Sequence, residues 1–384
     1  MQICMVTSAP LPPREGIGYY VWNLSRFLIG QGHQVQIITR GERGKPGWEK
    51  LEGIPIWRPR FYPTYPLHVH LHGLFVQHLV RRLETEVDVF HLHLPLAPAI
   101  RSKRPILVTA HTTRTGAGKI VRVTDWRSLF TRLQVPVSIQ IEREVFASAD
   151  QVVTVSQGVA IELEQYGLER KQVAVLGVGV NTDVFRPSEQ GAPVPAGETY
   201  VLAAGRLNAG KGFEDLIKAM GRVVTQFPHA RLSIAGAGPL EKQLKATIEH
   251  AALDDIVRLV GHVKEQVRMV ELYRGATIFA HAAHYEGLPT VLLEAMACGK
   301  AVVSTTVNGA LDAITDGGNG LLTLPKAPEQ LAEAISRLLG DAGLRARLGR
   351  AARRTVEERF SWRVVGGKYL RSYRALVEKA DSSA

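Results

Sequence analysis

Cysteine is nearly absent from this chain: only Cys4 and Cys298 occur in 384 residues, and both sit in apolar runs. Two isolated thiols argue against a disulfide framework and against a zinc cluster, and they suit a reducing compartment. Long hydrophobic runs are missing too, since nothing approaches the ~18 apolar residues of a membrane span. The opening MQICMVTSAPLPP carries an apolar run of strand length with no basic leader before it, unlike a secretory signal. These absences lead us to expect a soluble, cytoplasmic protein, with peripheral attachment to the inner face of the membrane as the variant. Low-complexity tracts and repeats at solenoid spacing are also lacking, and 45% hydrophobic with 22% charged residues is an ordinary globular balance.

Length is the first positive signal. A chain of 384 residues exceeds the roughly 250–300 at which one hydrophobic core stops growing, so two domains are expected. Net charge is +11 and uneven: residues 1–187 hold 22 Lys and Arg against 15 Asp and Glu, and the remainder holds 25 against 21. Such a bias fits an anionic partner for the first half, whether phosphate-bearing substrate or acidic lipid, and fits a solvated face equally well. Nucleic acid is a poor candidate, because the basic residues are scattered and form no recognisable motif.

Short β-branched runs alternate with helical patterns: QICMVTS, a helix from about Gly18 to Gly30, QVQIIT, DVFHLHL, PILVTA and DQVVTVS. This alternation predicts a parallel sheet with helices on both faces. The Pro- and Gly-rich RPSEQGAPVPAGE after Phe185 reads as a linker, and a second series follows with YVLAAGR, RLSIAGAG, DIVRLVG, TIFAHAA, KAVVST and GLLTL. The expected fold is thus α/β, with two Rossmann-like doubly wound domains facing a cleft. Ligands in such sheets bind outside the carboxyl ends of the strands.

The chemistry-bearing residues fall at those strand ends. In AGRLNAGKGFEDL, Arg206 and Lys211 follow a strand and precede a helix. A guanidinium and an ammonium placed there can neutralise a diphosphate leaving group as a magnesium ion would; a pair of surface charges in a turn is the plainer reading. In EGLPTVLLEAMACG, Glu286 follows a strand and Glu294 lies inside the next helix, a little over two turns further on, so both carboxylates can reach one ligand. That helix starts near Pro289, and its free amides at Thr290 and Val291 make an anion site. Core packing explains the apolar positions of the helix and leaves Glu294 unexplained; an acid there suits a pair of ribose hydroxyls.

These residues resemble the E-x7-E motif of family four of the retaining glycosyltransferases, and GRLNAGKGFEDLIKA resembles that family's diphosphate segment, with a likeness spanning nearly the whole chain. The resemblance implies the GT-B architecture, with an N-terminal acceptor domain of residues 1–187 plus 366–384 and a donor domain of residues 188–365. It implies that Glu286 contacts donor-sugar hydroxyls, Glu294 the ribose, and Arg206 with Lys211 the diphosphate, alongside Gly287, Leu288, Pro289, Thr290 and Val291. PPREGIGYYVWNLSRFLIGQGHQV resembles the family's glycine loop, with Gly16 and Gly18 allowing close backbone approach to the donor, although Glu15 stands where a glycine is frequent. His111 in ILVTAHTTRTG matches the family histidine that reaches the donor sugar, and GHV at Gly261 to Val263 resembles a turn near the base. Asp312 stands where the related loop usually has Glu, which leaves its role in doubt. The final segment FSWRVVGGKYLRSYRALVEKA, with Trp362, Val365, Tyr369 and Tyr373 at helical spacing, resembles the last helix that crosses back to the N-terminal domain.

Family membership would make the chain a hexosyltransferase that uses a UDP-, GDP- or ADP-sugar, with retention and without metal or other cofactor, and a lipid, glycan or small molecule as acceptor. Electrostatic stabilisation of the leaving phosphate by Arg206, Lys211 and the helix start would carry catalysis, joined by Glu286 and His111. A GT-B epimerase or phosphorylase is the nearest enzymatic rival. A Rossmann oxidoreductase or other nucleotide-binding module fits less well, because no full G-x-G-x-x-G follows the first strand. His68, His70 and His72 alternate at strand spacing, which predicts three imidazoles on one side of an extended segment, solvated or acceptor-facing. WRPRFYPTYPLHVHLHG and TRTGAGKIVRVTDWRSLFTR mix cations with aromatics, as suits an anionic surface.

Overall fold

A computed structural model describes residues 1–13, 16–41, 46–62, 68–95, 97–118, 135–188 and 199–383. The chain divides into two compact units, Met1–Gly179 with Trp362–Ala384, and Val180–Ser361. The division falls a few residues before the expected boundary at each crossing, after Gly179 and not after residue 187, and before Trp362 and not before residue 366. Trp362 supplies the reason at both crossings, because its indole lies against Gly179 so closely that a Cβ there would meet ring atoms. Much of the Pro- and Gly-rich linker, residues 189–198, lies outside the described residues, as do Glu15, residues 63–67 of the first basic and aromatic segment and residues 119–132 of the second.

The first unit is built on an eight-stranded sheet in the order β3-β4-β2-β1-β5-β6-β7-β8. Its strands are β1 (Gln2–Val6), β2 (Gln34–Ile38), β3 (Gly47–Leu51), β4 (Ile54–Arg58), β5 (Val89–Leu94), β6 (Ile106–Ala110), β7 (Gln151–Thr154) and β8 (Ala174–Val175). All pairs are parallel except β3 with β4. Every residue of β5 and β6 is buried, the pattern of strands covered on both faces. The helix Gly16–Gly30 follows β1 and turns Tyr20, Val21, Leu24 and Leu28 inward. The C-terminal helix Trp362–Ser383 packs on that helix and on β5, burying Val365, Tyr369 and Tyr373 completely. Their helical spacing in the sequence is thereby accounted for by burial on one face.

One expectation fails here. His68, His70 and His72 belong to the helix His68–Leu83, not to an extended segment. The buried positions Val69, His72, Val76, Val80 and Leu83 recur at three- and four-residue steps, and this longer apolar period overrides the short alternation of histidines. His72 turns inward and its Nδ1 bonds the Arg60 carbonyl at 3.1 Å, whereas the exposed His70 lies 3.5 Å from Glu144. Among the described residues no group of three His, Cys, Asp or Glu side chains is arranged to hold a metal ion.

The second unit holds a six-stranded sheet in the order β11-β10-β9-β12-β13-β14, wholly parallel. The strands are β9 (Thr199–Ala204), β10 (Ala230–Ala235), β11 (Val257–Gly261), β12 (Ile278–His281), β13 (Ala301–Thr305) and β14 (Leu321–Thr323). Helices Phe213–Gln226 and Pro328–Gly340 cover one face, and one apolar cluster joins them to the strands through Leu216, Met220, Ile234, Ile278, Val303, Ile335 and Leu338. Central strands β9 and β12 are neighbours although separated by some eighty residues of chain. That crossover places the loops after both strands at the same edge of the sheet. No helix of the described residues is long and apolar enough to cross a membrane.

Candidate functional site

The loops leaving β9 and β12 meet in the second unit. Lys211 donates from Nζ to Oε1 of Glu286, with only 21% and 15% of the two side chains exposed. Two tight joints fix this pair. Gly212 has φ +65°, and a Cβ at that position would strike the Ala282 carbonyl oxygen, so only glycine lets the first loop lie against the second. His284 then closes the joint from the other side: its amide donates to the Gly210 carbonyl at 2.8 Å, and its Nε2 lies 2.7 Å from Oδ2 of Asp215. Neither His284 nor Asp215 stands out in the sequence, because their contact bridges 69 residues.

His281, the last residue of β12, is the third member of the cluster. Its Nδ1 lies 3.0 Å from the Ser304 hydroxyl, while Nε2 has no hydrogen-bond partner and sits 3.7 Å from Oε1 of Glu286. Burial first, and the Lys211 ammonium second, push the His281 pKa down to about 3, so the imidazole stays neutral. Burial likewise lowers Lys211 to about 8.

Glu286, Gly287, Leu288 and Pro289 form the turn into the helix Thr290–Ala297, for which Pro289 is the N-cap residue. The first ladder bonds in this turn run from Leu292 and Leu293 amides to the Pro289 carbonyl at 3.1 and 3.3 Å, so the Thr290 and Val291 amides precede the ladder as free donors. Gly309 supports the turn from below, since a Cβ there would collide with the Gly287 carbonyl and with Leu288. Further along the helix, Glu294 accepts a hydrogen bond from the Tyr273 hydroxyl at 2.8 Å. Burial raises the Glu294 carboxyl to about 7, and the Tyr273 bond opposes that rise. Arg353 anchors the helix end by donating to the Ala297 carbonyl at 2.8 Å.

The remaining candidates are spread along the same edge. Arg206 is exposed just past β9, and Val263 lies half-buried two residues past β11. Asp312 lies in the short helix Asn308–Ala313, where its backbone carbonyl accepts from Arg359 at 3.0 Å.

In the first unit the candidate residues also sit at strand ends. His111 directly follows β6 and is 8% exposed; its Nε2 lies 3.2 Å from Nδ1 of the buried His93. Tyr20 meets the His111 ring edge-on at 4.5 Å between centroids. Burial depresses the His111 pKa to about 3. Gly18 has a reason internal to the chain, because a Cβ would come 3.2 Å from the Pro10 carbonyl oxygen, whereas a Cβ on Gly16 would meet nothing within 4 Å. His91, His93 and Tyr20 escaped the sequence reading, whereas Tyr369 and Tyr373, which pack on His91, entered it only through their helical spacing.

Comparisons with known proteins show the family and the fold. Residues 14–184 match the model of glycosyltransferase family 4, and residues 185–355 match that of the glycosyl transferases group 1. A D-inositol 3-phosphate glycosyltransferase of Acidothermus cellulolyticus is 31% identical over 88% of this chain and 80% of its own. An uncharacterised glycosyltransferase of Methanocaldococcus jannaschii is 26% identical over 98% and 99%. The fold is that of sucrose-phosphate synthase from Thermosynechococcus elongatus, with a TM-score of 0.80 at 22% identity, covering 98% of this chain and 99% of that one. HepE of Anabaena gives a TM-score of 0.74 at 18% identity, over 98% and 100%. With two parallel α/β sheets, charged groups at the strand ends of the second, and relatives aligned over most of its length, this chain belongs to the group 1, family 4 glycosyltransferases of the GT-B fold.

Proposed function

We propose that the chain transfers a hexosyl unit from a nucleotide-diphosphate sugar to an acceptor hydroxyl, with retention of configuration and without a bound metal. The observation that carries this reading is the Lys211–Glu286 pair, held at the ends of β9 and β12 beside the start of helix Thr290–Ala297. These two side chains neutralise each other. An arriving diphosphate takes over the Lys211 ammonium and the Thr290 and Val291 amides, with Arg206 as a second cation. Glu286 is then released to accept hydroxyl hydrogens of the sugar, and Glu294 serves the ribose.

Charge develops on the leaving diphosphate as the glycosidic bond breaks, and preorganised cations and amides stabilise it most at that moment. With the positive groups supplied by side chains and helix amides, a divalent cation is not required. Retention follows from attack on the face that the diphosphate leaves, a β-phosphate oxygen taking the acceptor proton. His111 of the first unit serves as a further polar contact in the reaction.

Two structures of HepE are complexes with UDP and glucose and with UDP-glucose, which makes a UDP-sugar the first donor to try, ahead of GDP- and ADP-sugars. A lipid, glycan or small-molecule acceptor suits the basic first unit, and an acidic membrane surface would attract the same charge. Pelleting with acidic liposomes tests that attachment: salt-sensitive binding supports it and its absence removes it. Thermal shift against UDP-, GDP- and ADP-sugars in the presence of EDTA, repeated on Glu294→Ala, tests the donor site. Stabilisation by one nucleotide that the variant loses supports the reading. Stabilisation that appears only with a divalent cation contradicts its metal-free part.

A further inference from the structure

His111 is the outermost of three neighbouring histidines buried in the first unit. His91 and His93 lie on β5 with ring centroids 4.0 Å apart, and His93 stacks on His111 at 5.5 Å with the planes 28° apart. All three are held neutral chiefly by burial, their pKa values pushed below the ordinary histidine range. A neutral imidazole has one N–H and one bare nitrogen, and the neighbours decide which is which.

The decision starts at Met5. Its sulfur lies 3.5 Å from Nε2 of His93 and carries no hydrogen, so the contact is favourable only when Nε2 of His93 bears the proton. Nδ1 of His93 is then bare and accepts, which requires Nε2 of His111, 3.2 Å away, to be the donor. Its Nε2 being protonated, neutral His111 has a bare Nδ1. The opposite arrangement sets a nitrogen lone pair against the sulfur lone pairs in a buried place where, among the described residues, neither has another hydrogen-bond partner. No described residue bonds Nδ1 of His111, and the ring stands at the carboxyl end of β6, the edge where open α/β sheets meet their ligands. We propose that Met5 and His93 are positioning residues that hold His111 in the Nε2–H form, so that its Nδ1 is presented to substrate as a hydrogen-bond acceptor.

The atom so presented selects for a donor, and a sugar hydroxyl is the donor that a glycosyltransferase substrate carries. The identity of that ligand rests on the sugar-transfer reading above, whereas the protonation pattern rests only on Met5, His93 and His111. The arrangement is also rigid. Tyr20 meets both His111 and His93 edge-on, at 4.5 and 5.8 Å between centroids, and the His111 amide donates to the Leu94 carbonyl at 3.3 Å. The ring therefore cannot turn over to exchange its nitrogens without displacing Tyr20.

Long-range 1H–15N correlation spectra of the full chain labelled with 15N-histidine read each tautomer directly, with His111 assigned by the signals lost in His111→Asn. The wild type is expected to show His111 protonated at Nε2 and bare at Nδ1; protonation at Nδ1 overturns the proposal without any variant. Met5→Leu keeps the shape and removes the acceptor, so a mixture of the two His111 tautomers is expected at an unchanged melting temperature, with kcat/KM about 2- to 10-fold lower. An unchanged tautomer in Met5→Leu overturns the part assigned to Met5. UDP-glucose is the ligand probe: a shift of the His111 Nδ1 resonance supports the acceptor role, and no shift in a protein that UDP-glucose stabilises overturns it. If neither UDP-, GDP- nor ADP-glucose stabilises the protein, the sugar-transfer reading fails and takes the ligand with it, while the tautomer is decided by the spectra alone.

Discussion

Two buried clusters, one in each unit, handle polar groups in opposite ways. Behind His111 the first unit holds a neutral network: His91 lies 2.7 Å from both the Tyr373 hydroxyl and the Thr109 hydroxyl, and Thr109 lies 3.0 Å from Tyr369. Burial keeps the tyrosines protonated, with Tyr369 raised to about 12 and Tyr373 raised well above its ordinary value. The second unit instead buries charge, in Lys211, Glu286 and Glu294. Neutral hydrogen bonds fix geometry and change little near neutral pH, whereas partly buried charges respond to pH and to a charged ligand. Under the proposed function, orientation would fall to the first cluster and electrostatic work to the second.

The strongest way to break this comparison is to remove the charge. Lys211→Ala is expected to lower turnover about 100- to 1,000-fold, as loss of one oxyanion-stabilising group does, with the circular dichroism spectrum intact; near-normal turnover would take the electrostatic role away from Lys211.

A pH profile of donor affinity sharpens the same point. Burial raises the Glu294 carboxyl to about 7 and lowers the Lys211 ammonium to about 8. Affinity should therefore be highest between those values, falling as Glu294 gains a proton below and as Lys211 loses one above. Each limb is expected to approach about tenfold per pH unit. A flat profile from pH 6 to 9 by calorimetry would contradict it.

Glu294 also gives a stability test. Its folded pKa of about 7 exceeds the ordinary 4.5, so the native state binds more protons than the unfolded chain between these values, and stability falls as pH rises from 4.5 through 7. Glu294→Gln removes that loss while leaving Tyr273 an acceptor. At pH 8 the variant should be more stable by on the order of 2–3 kcal/mol, read by urea denaturation, and should bind donor more weakly. Equal stability of the two proteins at pH 8 would mean that Glu294 is not strained by burial.

The smallest effect is expected in the neutral network. Tyr373→Phe leaves one nitrogen of His91 without its partner and should cost about 1–3 kcal/mol of stability, with no change in the pH profile of donor binding. A changed profile would show that the two regions are not independent in the way described.

Much of this was legible in the sequence wherever local spacing carries it. Strand runs, the turn from Glu286 into a helix and the one-sided spacing of Trp362, Val365, Tyr369 and Tyr373 are short-range patterns. The joints behind the site were not legible, because they connect distant positions: His284 with Asp215, Tyr273 with Glu294 and Met5 with His93 are 69, 21 and 88 residues apart. His68, His70 and His72 misled for a different reason, as a striking residue type at period two sat on an apolar period near 3.6 that belonged to Val69, Val76, Val80 and Leu83.

Isothermal titration of UDP-glucose into the wild type and Lys211→Ala, in EDTA at pH 7.5, tests the charged donor site most directly. The account expects binding without metal in the wild type and a loss of at least about tenfold in affinity in the variant, as befits a charge-assisted contact to phosphate. Equal affinity of the two proteins, or wild-type binding that appears only when a divalent cation is restored, would contradict it.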